Sequence, residues 1–152
     1  MAKLFNYRFQ NILKVKEILE DQRKHQVAQE QKQLFLEKER LKLLIKKREN
    51  NIEKWKEITK DSNIVKIKEL QETAMYIDKI NDFIDGQSDI VNQQKENVNI
   101  ARTELVEAKK QTKIFEKLKE KDYERFLERQ SKREMMLTDQ IVTYNSSVNK
   151  GG

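Results

Sequence analysis

The chain has 152 residues, of which 38% are charged and 36% hydrophobic, and its formal net charge is +6. With a mean hydropathy of -0.95, it cannot cover a globular core on all sides, although it can cover one narrow apolar seam. It lacks proline and cysteine, which excludes a disulfide framework and a Cys-based zinc site. Its abundant Lys, Glu, Gln, Arg, Leu and Ile are mostly good helix formers, so the composition predicts an all-α protein.

The charge is interleaved along the chain and changes sign. Residues 1–60 carry 16 basic and 9 acidic groups, whereas residues 61–108 carry 5 basic and 10 acidic groups. This pattern is typical of solvated helix faces that carry side-by-side ion pairs. Because groove-reading motifs and stacking aromatics are also missing, we expect no nucleic-acid binding.

The first predicted helix runs from about residue 6 to residue 60. Apolar residues near its start follow helical spacing: Phe5, Phe9, Ile12, Val15 and Leu19. Later ones occupy the a and d positions of heptads, where Lys38 and Arg48 interrupt the set: Leu34, Leu41, Ile45, Ile52 and Trp55. Between residues 20 and 33 only Val27 and Ala28 are apolar, so this part of the seam is expected to be weakly held.

The chain reversal has two candidate positions, residues 61–63 (Asp-Ser-Asn) and residues 85–89 around Gly86. A heptad row passes through the second without a change of phase: Leu70, Ile77, Ile84, Val91, Val98 and Leu105. Such a row is the sequence signature of a coiled coil. We therefore place Gly86 inside a helix and the turn at residues 61–63, whose side chains can cap helix ends.

The second predicted helix runs from about residue 64 to residue 142, with a frayed tail over residues 143–152. Together the elements predict one coiled-coil domain over residues 1–152, an antiparallel hairpin in which residue 12 faces residue 112. Beyond about Asp122 the second helix is expected to overhang the first.

No residue pattern predicts chemistry, and we expect neither catalytic residues nor a cofactor or metal site. His25 has no second His or Cys with which to share a metal, and the Asp and Glu residues lie at the spacing of solvated helix faces. A Gly-rich phosphate loop is absent. No stretch has the roughly 20 apolar residues of a membrane span, and the N-terminus has no signal-peptide pattern, so we expect a cytoplasmic protein.

Some apolar residues are not needed by the seam. Tyr76 and Phe83 are seven residues apart and one position away from it, so they either widen the core or form a partner-binding strip near the turn. Tyr123, Phe126 and Leu127 lie past the expected end of the first helix. They therefore imply a helix from another protein or a second copy of the chain.

Three segments resemble the FliJ family of flagellar export components. They are residues 5–17 (FNYRFQNILKVKE), residues 115–126 (FEKLKEKDYERF) and residues 133–141 (REMMLTDQI), although Met136 and Thr138 depart from the commoner choices. The chain length, the two-helix pattern and the scarcity of Pro and Cys agree with that family. The resemblance spans nearly the whole chain.

The resemblance implies a stalk that enters the hexameric ring of the flagellar export ATPase, promotes its assembly and activity, and contacts the transmembrane export gate. Family members have also been described as escorting export chaperones. On this analogy the ATPase would bind the open end, at Phe9, Ile12, Leu13, Lys16, Phe115, Leu118, Lys119 and Tyr123. The gate would bind Leu44, Tyr76, Ile80 and Phe83, and the protein would lie at the cytoplasmic face of the membrane without inserting. The alternative is a structural coiled-coil scaffold or dimeric spacer without ATPase coupling.

Overall fold

The computed structural model describes residues 4–60 and 66–150, and it contains two helices, α1 (Gln10–Thr59) and α2 (Lys66–Lys150). The predicted fold class, an all-α protein of two long helices packed together, is confirmed. The predicted turn at residues 61–63 lies outside the described residues. No helix in the described part of the chain is long and apolar enough to cross a membrane.

The chain packs as two compact units. The terminal unit combines Met1–Asp21 with Glu107–Gly152, and the central unit is Gln22–Val106. In each unit a stretch of α1 packs in antiparallel orientation against a stretch of α2. Two contacts in each unit show this direction. Phe5 meets Tyr123 and Lys16 meets Thr112 in the terminal unit. Glu30 meets Gln94 and Glu37 meets Gln87 in the central unit.

The α2 side of the central unit follows the heptad frame that the sequence predicts. Ile80 and Val98 are each only 3% exposed, and Val91 is 4% exposed. The d positions between the apolar layers are partly polar, since Thr73 and Gln94 are each 8% exposed. The seam therefore has the predicted phase but a mixed polar and apolar composition.

The α1 side of the central unit has a different second row from the predicted one. Lys38, expected in the seam, is exposed, whereas its neighbour Glu37 is only 6% exposed. The row that faces α2 is Glu30, Glu37, Leu44, Asn51 and Ile58. The prediction was wrong here because it looked for apolar residues, and several of the facing positions are polar.

Gly86 lies inside α2, as predicted, and a Cβ added at this position would meet no atom within 4 Å. Glycine in a helix interior costs about 1 kcal/mol relative to alanine. We therefore expect Gly86→Ala to raise the melting temperature by about 3 °C for a chain of this size. Thermal unfolding followed by circular dichroism checks this, and an unchanged or lower melting temperature would contradict it.

The start of the terminal unit differs from the prediction. α1 begins at Gln10 rather than near residue 6, and the Tyr7 carbonyl accepts a hydrogen bond of 3.1 Å from the Gln10 N–H. Leu13 is only 3% exposed, whereas Ile12 and Val15, which share the helical spacing of Phe9 in the sequence, are 42% and 61% exposed. The buried face of α1 continues the heptads of the central unit, which places Leu13 inward.

The other end of the terminal unit also differs. α2 continues to Lys150, eight residues beyond the predicted end. Phe5 packs against Tyr123 and Phe126, so the N-terminal segment covers α2 beyond the predicted limit at Asp122. Every residue described from 131 to 149 is exposed. The overhang therefore begins later along α2 and is longer than the sequence predicted.

Candidate protein-binding surfaces

Six aromatic residues of the terminal unit form two groups of three, which we together call the aromatic cluster. Phe5 contacts Tyr123 and Phe126, and Phe9 contacts Tyr7 and Phe115. The Phe5 and Tyr123 ring centroids are 5.2 Å apart with an edge-to-face angle of 74°. Phe9 and Phe115 make a second edge-to-face contact at 6.2 Å. Such pairs add stability beyond their buried area. The sequence placed these residues at one end of the molecule, and the structure brings them into contact.

Tyr7 joins the non-helical N-terminal segment to α2. Its hydroxyl donates a hydrogen bond of 2.9 Å to the Phe115 carbonyl, and the residue is 5% exposed. Burial and, to a lesser extent, the nearby Asp122 carboxylate raise the pKa of Tyr7. The phenol therefore stays protonated and remains a donor at neutral pH. The Arg8 guanidinium lies 4.4 Å from the Phe9 ring centroid, as in a cation–π contact.

An open groove of about 570 Å³ lies beside the aromatic cluster. Phe5, Leu13 and Tyr123 supply its apolar lining. Its charged lining consists of Glu17, Lys119, Glu116 and Glu120. None of the three carboxylates forms an ion pair within the described residues. The sequence did not single out these glutamates, although Glu116 and Glu120 lie one helical turn apart beside the aromatic positions.

The eight residues predicted to bind the ATPase divide by exposure. Leu13 is in the core, Phe9 and Phe115 are half-buried in the aromatic cluster, and Lys16 and Lys119 are also half-buried. The remaining three present their side chains to solvent: Ile12 is 42%, Leu118 37% and Tyr123 46% exposed. All eight lie in the terminal unit.

The four residues predicted to bind the gate divide in the same way. Ile80 is 3% exposed and belongs to the core, so it is not part of an accessible surface. Leu44 is half-buried in the seam, whereas Tyr76 and Phe83 are 50% and 64% exposed. The next residue of this heptad row, Ile90, is 49% exposed. Sequence analysis missed Ile90, although its spacing of seven from Phe83 could have indicated it.

Two equivalent polar pairs lie in the seam of the central unit. The Gln87 amide donates to the Glu37 carbonyl at 3.0 Å and to the Glu37 carboxylate. Seven residues away on each helix, Gln94 makes the same two bonds to Glu30. The hydrogen bond from Gln87 lowers the pKa of Glu37, with Arg40 and Gln33 adding to this effect and burial opposing it. We call these two pairs, Gln87 with Glu37 and Gln94 with Glu30, the Gln–Glu pairs.

The described residues contain no group of His, Cys, Asp or Glu side chains that could hold a metal ion. Both units instead present exposed apolar side chains on their helix surfaces. Such surfaces suit protein recognition, in which exposed aromatic anchors carry much of the binding energy.

Comparison with known proteins gave a family match and a solved structure of similar fold. The structure is similar to a putative YscO homolog, CT670 from Chlamydia trachomatis, with a TM-score of 0.50, 20% identity, and coverage of 98% of this chain and 99% of that chain. At this identity the likeness concerns the fold alone. No protein of curated function matches. The model of the flagellar FliJ protein family matches residues 5–151, and the chain therefore belongs to the FliJ family of flagellar export components.

Proposed function

We propose that the protein is a non-enzymatic stalk of the flagellar export ATPase, which binds the ATPase ring through its terminal unit. The observation that carries this proposal is the set of exposed apolar side chains in the unit that also contains the aromatic cluster. Ile12, Leu118 and Tyr123 are all more than one third exposed. Ring contacts hold Tyr123 against Phe5, and Phe9 against Tyr7 and Phe115. A preorganised surface of this kind loses little conformational entropy when it binds.

The central unit is proposed to bind the export gate through Tyr76 and Phe83. These rings are one heptad apart on the same face of α2 and are at least half exposed. Aromatic residues with one face against a helix and the other in water are typical anchors of transient interfaces. Leu44 and Ile80 would support this surface from the seam. The protein would then act at the cytoplasmic face of the membrane, linking the ATPase to the gate and serving export chaperones.

The test is hydrolysis and ring assembly by the flagellar export ATPase of the same genome, measured with and without the full chain. We expect stimulated hydrolysis, and we expect the variant Leu118→Ala/Tyr123→Ala to bind the ATPase about tenfold more weakly, as for the loss of interface anchors. Phe83→Ala is the matched control, because it removes an exposed aromatic from the central unit. It should leave the ATPase response unchanged and reduce binding to the gate's cytoplasmic domain.

Two outcomes would contradict the proposal. One is no effect of the folded wild-type chain on ATPase rate or assembly. The other is a loss of ATPase binding with Phe83→Ala that equals the loss with Leu118→Ala/Tyr123→Ala. This result would mean that ATPase binding does not depend specifically on the terminal unit. A wild-type chain that sedimented as a dimer and left the ATPase unaffected would instead support the structural scaffold.

A further inference from the structure

Residues 4–9 precede α1 and are not helical, and we call them the N-terminal strap. Near the start of the strap, the Phe5 ring centroid lies 5.2 Å from the Tyr123 ring centroid. At its end, the Phe9 ring centroid lies 6.2 Å from the Phe115 ring centroid. The strap therefore lies along α2 between these two contacts.

The contact between Phe5 and Tyr123 requires the strap to be extended. The eight residues from Phe115 to Tyr123 span about 12 Å at the 1.5 Å rise of an α-helix. The four residues from Phe9 to Phe5 span up to about 13 Å when they are extended. As a helix they would span only about 6 Å, which would leave Phe5 about 6 Å short of its present position along α2.

The sequence nevertheless offers α1 an earlier start. Because α1 begins at Gln10, the residue in the capping position is Phe9, whose side chain has no hydrogen-bond acceptor. Asn6 lies about one helical turn earlier and is exposed. Asn is among the best N-cap residues, since its side-chain oxygen accepts a hydrogen bond from a backbone N–H of the first turn. A helix capped by Asn6 would add residues 7–9 to α1.

Tyr7 also distinguishes the two arrangements. In the strap, its hydroxyl donates a hydrogen bond of 2.9 Å to the Phe115 carbonyl, and the residue is 5% exposed. In a longer α1, Tyr7 would lie about 160° around the helix from Phe9, which faces α2. The same residues can therefore form either side-chain contacts with α2 or a capped first turn, and they cannot form both at once.

We propose that the N-terminal strap exchanges with one additional turn of α1, and that this exchange releases Tyr123 and Phe126 from Phe5. In the helical form the two α2 rings lose their contacts with Phe5, and the groove loses the part of its lining that Phe5 supplies. The exchange would thus regulate the surface around Tyr123 that we assign to the ATPase. This consequence rests on the proposed function, whereas the exchange itself does not.

The test measures the carbon-13 chemical shifts of the Cα atoms of residues 7–9 by NMR, because these shifts distinguish extended from helical backbone. The full chain is used, and we expect extended shifts in the wild type. Phe5→Ala/Tyr7→Phe removes the Phe5 ring contacts and the Tyr7 hydrogen bond. We therefore expect helical shifts in this variant, with the ratio of helix to strap raised at least about tenfold. Phe5→Ala alone should give a smaller change in the same direction.

Two further variants make the test specific. Leu4→Ala is the matched control, because Leu4 belongs to the strap but is 95% exposed, and this variant should keep the wild-type shifts. Adding Asn6→Ala to Phe5→Ala/Tyr7→Phe removes the cap and should lower the ratio of helical to non-helical chains about fivefold.

Two results would overturn the proposal. One is disordered shifts at residues 7–9 in Phe5→Ala/Tyr7→Phe, which would mean that the released strap frays and does not extend α1. The other is a helical population that Asn6→Ala leaves unchanged. Because no ATPase is present, failure of the exchange is distinguishable from failure of the proposed function.

Discussion

Ile80→Ala is expected to lower the free energy of unfolding by about 2–4 kcal/mol. The side chain is 3% exposed at a d position of α2, between the buried residues Thr73 and Ile84. Truncating it removes apolar contacts and leaves a gap that two packed helices can close only in part. Urea unfolding followed by circular dichroism measures this loss, and Val98→Ala, at an equally buried position, should also be destabilising.

Phe83→Ala is the control for Ile80→Ala, because it truncates an exposed side chain on the same helix. Phe83 is three residues from Ile80 but 64% exposed, so its truncation should change the free energy of unfolding by no more than about 0.5 kcal/mol. If Phe83→Ala destabilises the chain as strongly as Ile80→Ala, the ring belongs to a widened core and is not a partner-binding strip. If only Ile80→Ala destabilises the chain, any weaker gate binding by Ile80→Ala reflects unfolding. Phe83→Ala is then the variant that tests gate binding directly.

The sequence predicts α2 well because its inner row is regular. Apolar residues recur every seven positions from Leu70 to Leu105, and such a row indicates both the helix and its buried face. The same regularity placed Gly86 inside the helix, although glycine usually marks a break. Strong periodicity over five turns or more outweighs a single unfavourable residue, which costs only about 1 kcal/mol.

The N-terminal segment was predicted less well because two periodicities compete there. Phe5, Tyr7 and Phe9 alternate with polar residues, a spacing of two that suits an extended segment, whereas Phe5, Phe9 and Ile12 also fit a helix. In the structure α1 begins only at Gln10. The alternating aromatic residues before it contact α2. These contacts join residues such as Tyr7 and Phe115, which are 108 positions apart in the sequence. Local spacing does not report contacts of this kind, although they decide where the helix begins.

The candidate protein-binding surfaces were also predicted only in part. The gathering of aromatic residues in the terminal unit could be predicted, because an antiparallel hairpin brings residues near 5 and 120 together. Which of these residues remain accessible could not, because Ile12 and Leu13 differ by one position and both are apolar. Which of the two is buried depends on which heptad positions of α1 face α2. Those positions are hard to recognise in the sequence because several are polar, such as Glu30 and Glu37.

The Gln–Glu pairs show why polar residues can occupy seam positions. Glu37 is 6% exposed and receives hydrogen bonds from Gln87, Gln33 and Arg40. A buried carboxylate with its donors in place is tolerated, and removing one donor is costly. Such pairs can fix the register of two helices, as single polar residues do in other coiled coils.

A double-variant cycle at the pair Glu37 and Gln87 separates these effects. Gln87→Leu leaves the carboxylate buried without its main donor, so we expect the melting temperature to fall by about 5 °C. Glu37→Leu is milder, since Gln87 can still donate to the backbone carbonyl of residue 37. The double variant Glu37→Leu/Gln87→Leu replaces the pair by two apolar side chains and should melt at or above the wild-type temperature. Equal melting temperatures for Gln87→Leu and the double variant would contradict this account.

The pH dependence provides an independent check on the same cycle. Since hydrogen bonding lowers the pKa of Glu37 in the folded chain, its contribution to stability is present above the ordinary glutamate pKa of 4.5. It is lost as the pH falls through the lower folded-state pKa. Between neutral pH and acid pH, the free energy of unfolding of the wild type should therefore fall more than that of the double variant. Many other carboxylates also titrate there, and the difference between the two chains isolates Glu37. Parallel acid titrations of the two chains would show that the carboxylate is not held by the seam.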